Sequence, residues 1–256
     1  MILTEFNFGS ETLGMRAHLD VLIPQPPLHA ETKPAFRVLY LLHGRSDDQS
    51  GWLRWTPTER YVDGLNLAVV MPYVHLSFYA NMLHGGRYWD FVSEEVPALV
   101  RQLLPVSTRR ADTYAAGLSM GGYGAFKLAL AHPDRYAAAA SLSGVMDVYE
   151  YMRNADDLPR DDAWRREMYA VFGDAENIPG SSNDLFHLAN SAAQSAQPPR
   201  LFQCCGTEDH LLSSNRAFRN YLSRLPLDLT YREAAGIHDW NFWDPMFRQA
   251  LQWMFA

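Results

Sequence analysis

Residues 111–131 read ADTYAAGLSMGGYGAFKLALA and set a Gly-x-Ser-x-Gly pattern between a strand-like run and a helix-like run. The pattern consists of Gly117, Ser119 and Gly121. Residues 113–116 have strand character, and residues 120–131 continue as an apolar helix without proline. In this context the pattern predicts a nucleophile elbow, a sharp strand-to-helix turn that exposes the serine Oγ and needs small neighbours.

The rest of the chain predicts strands that alternate with helices. The predicted strands lie at residues 3–8, 16–23, 36–42, 67–71, 136–142, 201–205 and 227–233. Helices are predicted at 88–104, where Pro97 marks a kink or a later start, and at 242–255. This order predicts an α/β-hydrolase fold: a mostly parallel sheet with helices on both faces and ligands at the carboxyl ends of the strands.

Length and composition predict one domain over residues 1–256. A chain of 256 residues with 48% apolar content can bury one sizeable core. Residues 145–199 are acidic, helix-prone and interrupted by proline and glycine. This composition favours a small helical cap inserted above the sheet over a second domain.

The charge pattern excludes several classes of partner. The net charge of −7 comes from scattered acids. The sequence has no cluster of Lys and Arg of the kind that binds nucleic acid, so we expect no nucleic-acid partner. The N-terminal residues lack a basic region followed by an apolar one, and no apolar run approaches the roughly 18 residues of a membrane span. We therefore expect a soluble cytoplasmic protein.

Cys204 and Cys205 are adjacent and too few for a metal site, so we interpret them as buried strand residues.

A serine nucleophile needs a histidine base, and the base needs a carboxylate that holds its tautomer. In this fold the chain order is serine, acid, histidine. Asp209 follows the strand at 201–205, and His238 follows the last predicted strand, so Ser119, Asp209 and His238 satisfy that order. Glu208 is the rival acid, and His210 is one of nine histidines that compete for the role of base.

The oxyanion hole is expected to use the backbone N–H after the nucleophile, which belongs to Met120. A second N–H should come from the loop after the strand at 36–42, where Gly44 would allow the Arg45 N–H to approach the substrate. The rival segment, residues 84–86, reads His-Gly-Gly but precedes the helix at 88–104. Its position favours a structural role or a place in the pocket wall.

Aromatic residues cluster in the loops that follow the strands. Trp52, Tyr79 and Trp240 are predicted to form an aromatic wall near the serine, whereas Trp243 is interpreted as core. His187, in the predicted cap, is a further candidate for substrate contact. Such a wall would suit a short acyl group or an aromatic ester. A homo-oligomer stays open, because paired aromatic loops could also be buried against a second subunit.

Six motifs together resemble the esterase D-like family of α/β-hydrolases, which includes tributyrin esterases, S-formylglutathione hydrolases and feruloyl esterases. They are YLLHG at 40–44, GWLRWT at 51–56, SFY at 77–79, GLSMGGYGA at 117–125, CGTED at 205–209 and HDWNFWD at 238–244. The likeness is greatest to small tributyrin-type esterases. It implies hydrolysis of short-chain carboxylic esters by Ser119, Asp209 and His238, with no metal and no cofactor.

One segment departs from the pattern of that family. Residues 45–48 read Arg-Ser-Asp-Asp, which is more charged than the apolar, glycine-rich loop expected there. The alternatives to a carboxylesterase are an S-formylglutathione hydrolase-type thioesterase and an acyltransferase that uses the same acyl-enzyme. A non-catalytic binding protein is a third reading, but such a protein would be expected to lack a member of the triad.

Overall fold

The structure is a computed structural model that describes residues 1–25, 35–153 and 162–256. Within these ranges eight strands form one sheet, in the order β1-β2-β4-β3-β5-β6-β7-β8. They are β1 (Ile2–Ser10), β2 (Met15–Ile23), β3 (Arg37–Leu42), β4 (Leu67–Pro72), β5 (Thr113–Leu118), β6 (Ala138–Leu142), β7 (Arg200–Gly206) and β8 (Leu229–Ala234). Only the β1–β2 and β2–β4 pairs in this described sheet are antiparallel. The mostly parallel sheet of an α/β-hydrolase is thereby confirmed.

Helices connect the strands. They are α1 (Gly51–Trp55), α2 (Thr58–Val62), α3 (Tyr88–Asp90), α4 (Val96–Leu103), α5 (Met120–Ala131), α6 (Val148–Arg153), α7 (Asp162–Phe172), α8 (Leu185–Ala192), α9 (Leu212–Leu222) and α10 (Trp240–Phe255). A π-helical turn occupies Phe91–Glu95, and 3₁₀ turns occupy Arg110–Asp112 and Ala175–Asn177. No helix in the described part of the chain combines the length and the apolar character needed to cross a bilayer.

The central strands are apolar along their whole length because both faces of the sheet are covered. In β3, Val38 and Tyr40 face the core beneath α5, whereas Leu39 and Leu41 face the core beneath α10. All four side chains are buried. The alternation follows from the two-residue period of a strand, which sends successive side chains to opposite faces. The sheet therefore holds the carboxyl ends of β3 and β5 in a rigid setting.

The helix predicted at 88–104 is present as one helical run from Tyr88 to Leu103, and its middle is π-helical. The chain forms α3, a π-helical turn and then α4, with Pro97 in the first turn of α4. Proline has no backbone N–H, so Pro97 cannot donate to the carbonyl of Ser93 four residues earlier. The guanidinium of Arg135 donates to that carbonyl instead, at 3.1 Å. The π-helical turn thus lies just before a proline, and a residue distant in the chain donates to the carbonyl that Pro97 cannot reach.

Lys127 is the one charged residue of α5, and its side chain is buried. Its Nζ donates to the carbonyl of Tyr79 at 3.0 Å and to Oδ1 of Asn183 at 2.7 Å. The same nitrogen lies 4.5 Å from the centre of the Trp89 ring. Burial lowers the pKa of Lys127 to about 7. This amine therefore links α5 to the loop after β4 and to the segment before α8.

Replacement of Lys127 by methionine should change how stability depends on pH. The unfolded chain takes up a proton on this amine near its ordinary pKa of 10.5, whereas the folded chain does so only near 7. As the pH falls from about 10 to about 7, the wild type should lose up to about 1.4 kcal/mol of unfolding free energy per pH unit at this group. Lys127→Met lacks that dependence. Urea denaturation of both proteins between pH 7 and 9.5 measures the difference, and parallel curves would contradict the burial of an ionisable amine here.

Candidate active site

Ser119 stands on the turn between β5 and α5 in a strained backbone conformation. Its φ is 52° and its ψ is −120°, a region that residues other than glycine seldom adopt. Such a conformation costs on the order of 1–3 kcal/mol and persists only where the surrounding structure enforces it. The Ser119 N–H donates to the carbonyl of Leu142 in the neighbouring strand at 2.9 Å. The turn thus lifts the serine above the carboxyl edge of the sheet.

The two glycines of the pattern are required by close backbone approaches. A Cβ on Gly117 would lie 2.3 Å from the carbonyl oxygen of Gly121. A Cβ on Gly121 would lie 2.3 Å from the carbonyl oxygen of Leu42, at the end of β3. Any side chain at either position would therefore push α5 away from the sheet.

Asp209 and His238 come from the loops after β7 and β8, at the same edge of the sheet as Ser119. These two loops pack closely, since a Cβ on Gly206 would lie 2.1 Å from the carbonyl oxygen of Gly236. Glu208, the rival acid, accepts a hydrogen bond from the Gly236 N–H at 2.7 Å. Glu208 therefore holds the backbone of the histidine loop and leaves the imidazole to Asp209.

The structure brings the three predicted residues into one hydrogen-bonded chain. The Ser119 hydroxyl lies 2.9 Å from His238 Nε2, and His238 Nδ1 lies 2.9 and 3.1 Å from the Asp209 carboxylate oxygens. The Asp209 side chain has no exposed surface, and the Leu211 N–H also donates to it at 2.9 Å. Burial raises the pKa of the Asp209 carboxyl, but the hydrogen bond and charge of His238 outweigh this effect and bring it below its ordinary value. An ionised carboxylate is an acceptor only, so Nδ1 carries the proton and Nε2 is the acceptor for the serine.

The loop after β3 is fixed beside Ser119 by the buried His43. Its Nδ1 lies 2.8 Å from the Gly44 carbonyl, and its Nε2 accepts a hydrogen bond from the Val74 N–H at 3.1 Å. This pairing requires a neutral ring, and burial lowers the pKa of His43 to about 4. The Tyr79 hydroxyl donates to the His43 carbonyl at 2.9 Å. A Cβ on Gly44 would lie 3.6 Å from the Ser119 Cβ, so the loop passes directly over the serine.

Arg45, next in that loop, is bound to α7. Its Nε and one terminal nitrogen donate to the two carboxylate oxygens of Glu167 at 2.8 and 2.7 Å. The ion pair is partly buried, with the Arg45 side chain 34% exposed and the Glu167 side chain 16% exposed. Such a two-point contact fixes orientation as well as distance. The predicted oxyanion loop is thus connected to the segment between β6 and β7.

Met120 is the first residue of α5, where backbone N–H groups have no acceptor within the helix. These N–H groups carry the positive end of the helix dipole and favour negative charge nearby. Met120 and the Gly44–Arg45 peptide both adjoin Ser119 along the chain or in space. The arrangement can therefore receive an oxygen that becomes negatively charged beside the serine.

A cavity of about 500 Å³ opens above the hydrogen-bonded chain. It is lined by Gly44, Arg45, Ser46, Asp47, Trp55, Leu118, Ser119, His238, Trp240 and Trp243. Of the predicted substrate-binding residues, Gly44 and Trp240 line it. The lining combines aromatic side chains with the charged residues Arg45 and Asp47 of the loop at 45–48.

The other three predicted substrate residues lie away from the cavity. Trp52 is fully buried, its indole N–H donates to the Leu42 carbonyl at 3.1 Å, and its ring packs 4.6 Å from Phe247. Tyr79 is also fully buried, beneath the loop after β3. His187 is exposed on α8. Trp52 and Tyr79 support the site from below, and the structure gives His187 no place in it.

Two tryptophans of the cavity lining were not among the predicted substrate residues. Trp243 is buried in the core as interpreted, and its ring also lies 4.9 Å from the His238 ring, at an interplanar angle of 89°. Trp55 is 61% exposed and stacks on Trp240 with 6.5 Å between ring centres. The available signal was the spacing of Trp240 and Trp243, because residues three apart share one face of a helix. The rival oxyanion segment at 84–86 does not contribute to the cavity lining. The His84 N–H instead donates to the carbonyl of Ala170 on α7.

Comparison with known proteins adds a family match. The Esterase family model matches residues 10–254 of the chain. An acetyl esterase of Caldicellulosiruptor saccharolyticus is 28% identical to this chain over an alignment of 264 positions. The alignment covers 99% of this chain and 98% of that protein.

Solved structures give the same result. FphF, a fluorophosphonate-binding serine hydrolase of Staphylococcus aureus, is 36% identical with a TM-score of 0.90, and the match covers 100% of this chain and 98% of that one. The S-formylglutathione hydrolase FrmB of Staphylococcus aureus is 35% identical with a TM-score of 0.87, covering 100% of this chain and 99% of that one.

Gly121→Ala should damage both stability and turnover, because its methyl group would lie 2.3 Å from a backbone oxygen that cannot move aside. We expect a loss of roughly 1–3 kcal/mol or more in unfolding free energy. Displacement of α5 by about 1 Å should also lower kcat/KM by roughly 100-fold. Gly9→Ala is the matched control, since a Cβ there meets no atom within 4 Å. Equal denaturation midpoints for the two variants would contradict the close approach.

Proposed function

The chain belongs to the Esterase family, in its esterase D-like branch, and from that premise we propose that it hydrolyses short-chain acyl esters through an acyl-enzyme on Ser119. The similarity to the acetyl esterase and the two serine hydrolases makes it a carboxylic ester hydrolase. The proposal adds which residues carry the reaction and which acyl groups the cavity accepts.

One observation carries the assignment of roles: the continuous hydrogen bonding from the Ser119 Oγ through both nitrogens of His238 to Asp209. In the first step, His238 Nε2 takes the hydroxyl proton while Oγ attacks the carbonyl carbon of the ester. The imidazolium that forms is stabilised by the ionised Asp209. His238 then returns the proton to the departing alcohol oxygen, and the acyl group stays on Ser119.

Hydrolysis of the acyl-enzyme repeats these steps with water. His238 takes a proton from the water, the resulting hydroxide attacks the acyl carbon, and the Ser119 Oγ leaves with the proton from His238. In both halves the carbonyl oxygen becomes an oxyanion. We assign its stabilisation to the backbone N–H groups of Met120 and Arg45, which need no reorganisation because α5 and the His43-bound loop are already fixed.

Short acyl groups fit the proposal because the cavity is bounded on several sides. Leu118, Trp240 and Trp243 supply an apolar wall close to the serine, and Arg45 is tied to α7 by Glu167.

We propose that residues 145–199, of which 154–161 lie outside the described residues, form a cap within a single domain. Packing of Phe172 on α7 against Phe78, with 5.7 Å between ring centres, supports that placement over the loop after β4.

The second candidate is hydrolysis of a thioester of the S-formylglutathione type. The likeness to FrmB over the whole chain favours it, and the same attack by Ser119 would release a thiol in place of an alcohol. Interception of the acyl-enzyme by an alcohol would instead make the protein an acyltransferase. The three activities differ only in the leaving group or the acceptor, so substrates and products distinguish them.

Ser119→Ala should abolish ester hydrolysis while the protein stays folded. We expect kcat for p-nitrophenyl esters to fall by about four orders of magnitude or more, because no other group supplies the nucleophile. Activity is measured on acetyl to dodecanoyl esters, on S-formylglutathione and with added alcohol acceptors, beside circular dichroism of each protein. Ser191→Ala, on the exposed face of α8, is the control.

The outcomes of this experiment separate the candidates. A steep preference for short chains in the wild type, lost only in Ser119→Ala, supports the esterase. Faster turnover of S-formylglutathione moves the assignment to the thioesterase, and ester exchange with the alcohols moves it to the acyltransferase. Wild-type protein without any Ser119-dependent turnover would be a binding protein that retains the fold.

Glu167→Gln should lower kcat several-fold with a smaller change in KM. The amide cannot give Arg45 two anionic acceptors, so the peptide that donates the Arg45 N–H becomes less fixed when the oxyanion forms. Steady-state kinetics on p-nitrophenyl acetate measure the effect. Glu176→Gln is the matched control because its ion pair with Arg153 is exposed and lies outside the cavity lining. Identical kcat in both variants would remove Arg45 from the oxyanion role.

A further inference from the structure

His210 takes no part in the proposed reaction, yet it adjoins two residues that do. Its Nδ1 lies 3.6 Å from Oδ1 of Asp209, and its ring centre lies 4.6 Å from that of His238. The imidazole side chains are 27% and 21% exposed, whereas the Asp209 side chain is fully buried. A third polar group thus meets the acid and the base at the surface of the site.

The three side chains offer two imidazole nitrogens and one carboxylate oxygen, a donor set that Zn²⁺ favours. One such atom from each residue lies within 4.8 Å of the other two, and the described ranges contain no other group of three with this property. Atoms bound tetrahedrally to one Zn²⁺ by bonds of about 2.1 Å lie about 3.4 Å apart. Closure of up to about 1.4 Å, by rotation of the partly exposed imidazoles, would complete the site.

We propose that Asp209, His210 and His238 form an inhibitory Zn²⁺ site, with water as the fourth ligand. Three protein ligands and one water match the coordination of an open zinc site. The carboxylate supplies the negative charge that the ion needs, and the partial exposure of both rings gives the ion a path from solvent. The inhibitory consequence rests on the proposed function, whereas the binding itself does not.

Binding would remove the base in either of two ways. If the ion takes the lone pair of His238 Nδ1, the proton that Nδ1 donates to Asp209 moves to Nε2, which can then no longer accept the Ser119 proton. If the ion binds Nε2, it displaces the serine hydroxyl directly. The Asp209 carboxylate also becomes shared with the ion. No net oxidation or reduction occurs, so removal of the ion restores the original tautomer.

The binding arm of the test uses Ser119→Ala, so that it does not depend on ester hydrolysis. Zn²⁺ is titrated calorimetrically into this protein and into the double variant Ser119→Ala/His210→Gln. Co²⁺ serves as a coloured substitute, because its visible absorption intensifies at sites of four ligands. We expect one ion per chain and at least a tenfold loss of affinity in the double variant. Absence of uptake at 1:1 stoichiometry, or equal affinity in both proteins, would overturn the site.

The activity arm measures inhibition by Zn²⁺, with each variant normalised to its own rate without metal. We expect His210→Gln to raise the half-inhibitory concentration at least tenfold and His187→Gln, an exposed histidine of α8, to leave it at the wild-type value. A chelator should restore the wild-type rate. Equal inhibition of all three proteins would show that the ion acts elsewhere. If no protein hydrolyses esters but the calorimetric result holds, the proposed function fails and the metal site stands.

Discussion

At Gly121 the first turn of α5 passes so close to the end of β3 that the carbonyl oxygen of Leu42 occupies the space of a side chain. This contact fixes where the helix begins, and the helix start forces Ser119 into its left-handed conformation. The hydroxyl, the Met120 N–H and the axis of α5 are consequently set by one packing constraint. Backbone atoms impose it, so it cannot relax by a change of rotamer, and the strain at the serine is offset by the packing of a whole helix.

Asp209 and His238 are positioned by a second close approach, between the loops after β7 and β8. Contact of Gly206 with Gly236, together with the hydrogen bond from the Gly236 N–H to Glu208, ties the two loops into one unit. Asp209 and His238 therefore keep their separation even though they come from different loops. The same closeness brings His210 to the edge of the site, with its ring centre 4.6 Å from that of His238. The His210 imidazole is therefore available for the Zn²⁺ site that we propose.

The loop after β3 is held at the site by polar contacts as well as by the close approach at Gly44. His43 satisfies two backbone groups with a neutral ring, and Tyr79 holds its carbonyl from below. On the outer side, Arg45 extends this order to Glu167 on α7. The charged character of the loop thus has a structural reason, because a guanidinium held at two points anchors the segment above the cavity.

The sequence by itself determined the alternation of strands and helices, the elbow around Ser119 and the candidates Asp209 and His238 in the loops after two strands, because strand and helix periods and glycine requirements are local properties. Only the tertiary structure decided which aromatic residues line the cavity: Trp52 was predicted in the wall and lies in the core, whereas Trp243 lies in the core as predicted and also lines the cavity beside His238. The direction of a side chain in a loop or first helical turn depends on how that element packs against strands distant in the chain. The surroundings of Pro97 depend on packing in the same way, since the guanidinium that donates to the Ser93 carbonyl belongs to Arg135, 42 residues away in the sequence. Local pattern specifies the elements and their chemistry, and non-local packing specifies the direction in which each side chain points.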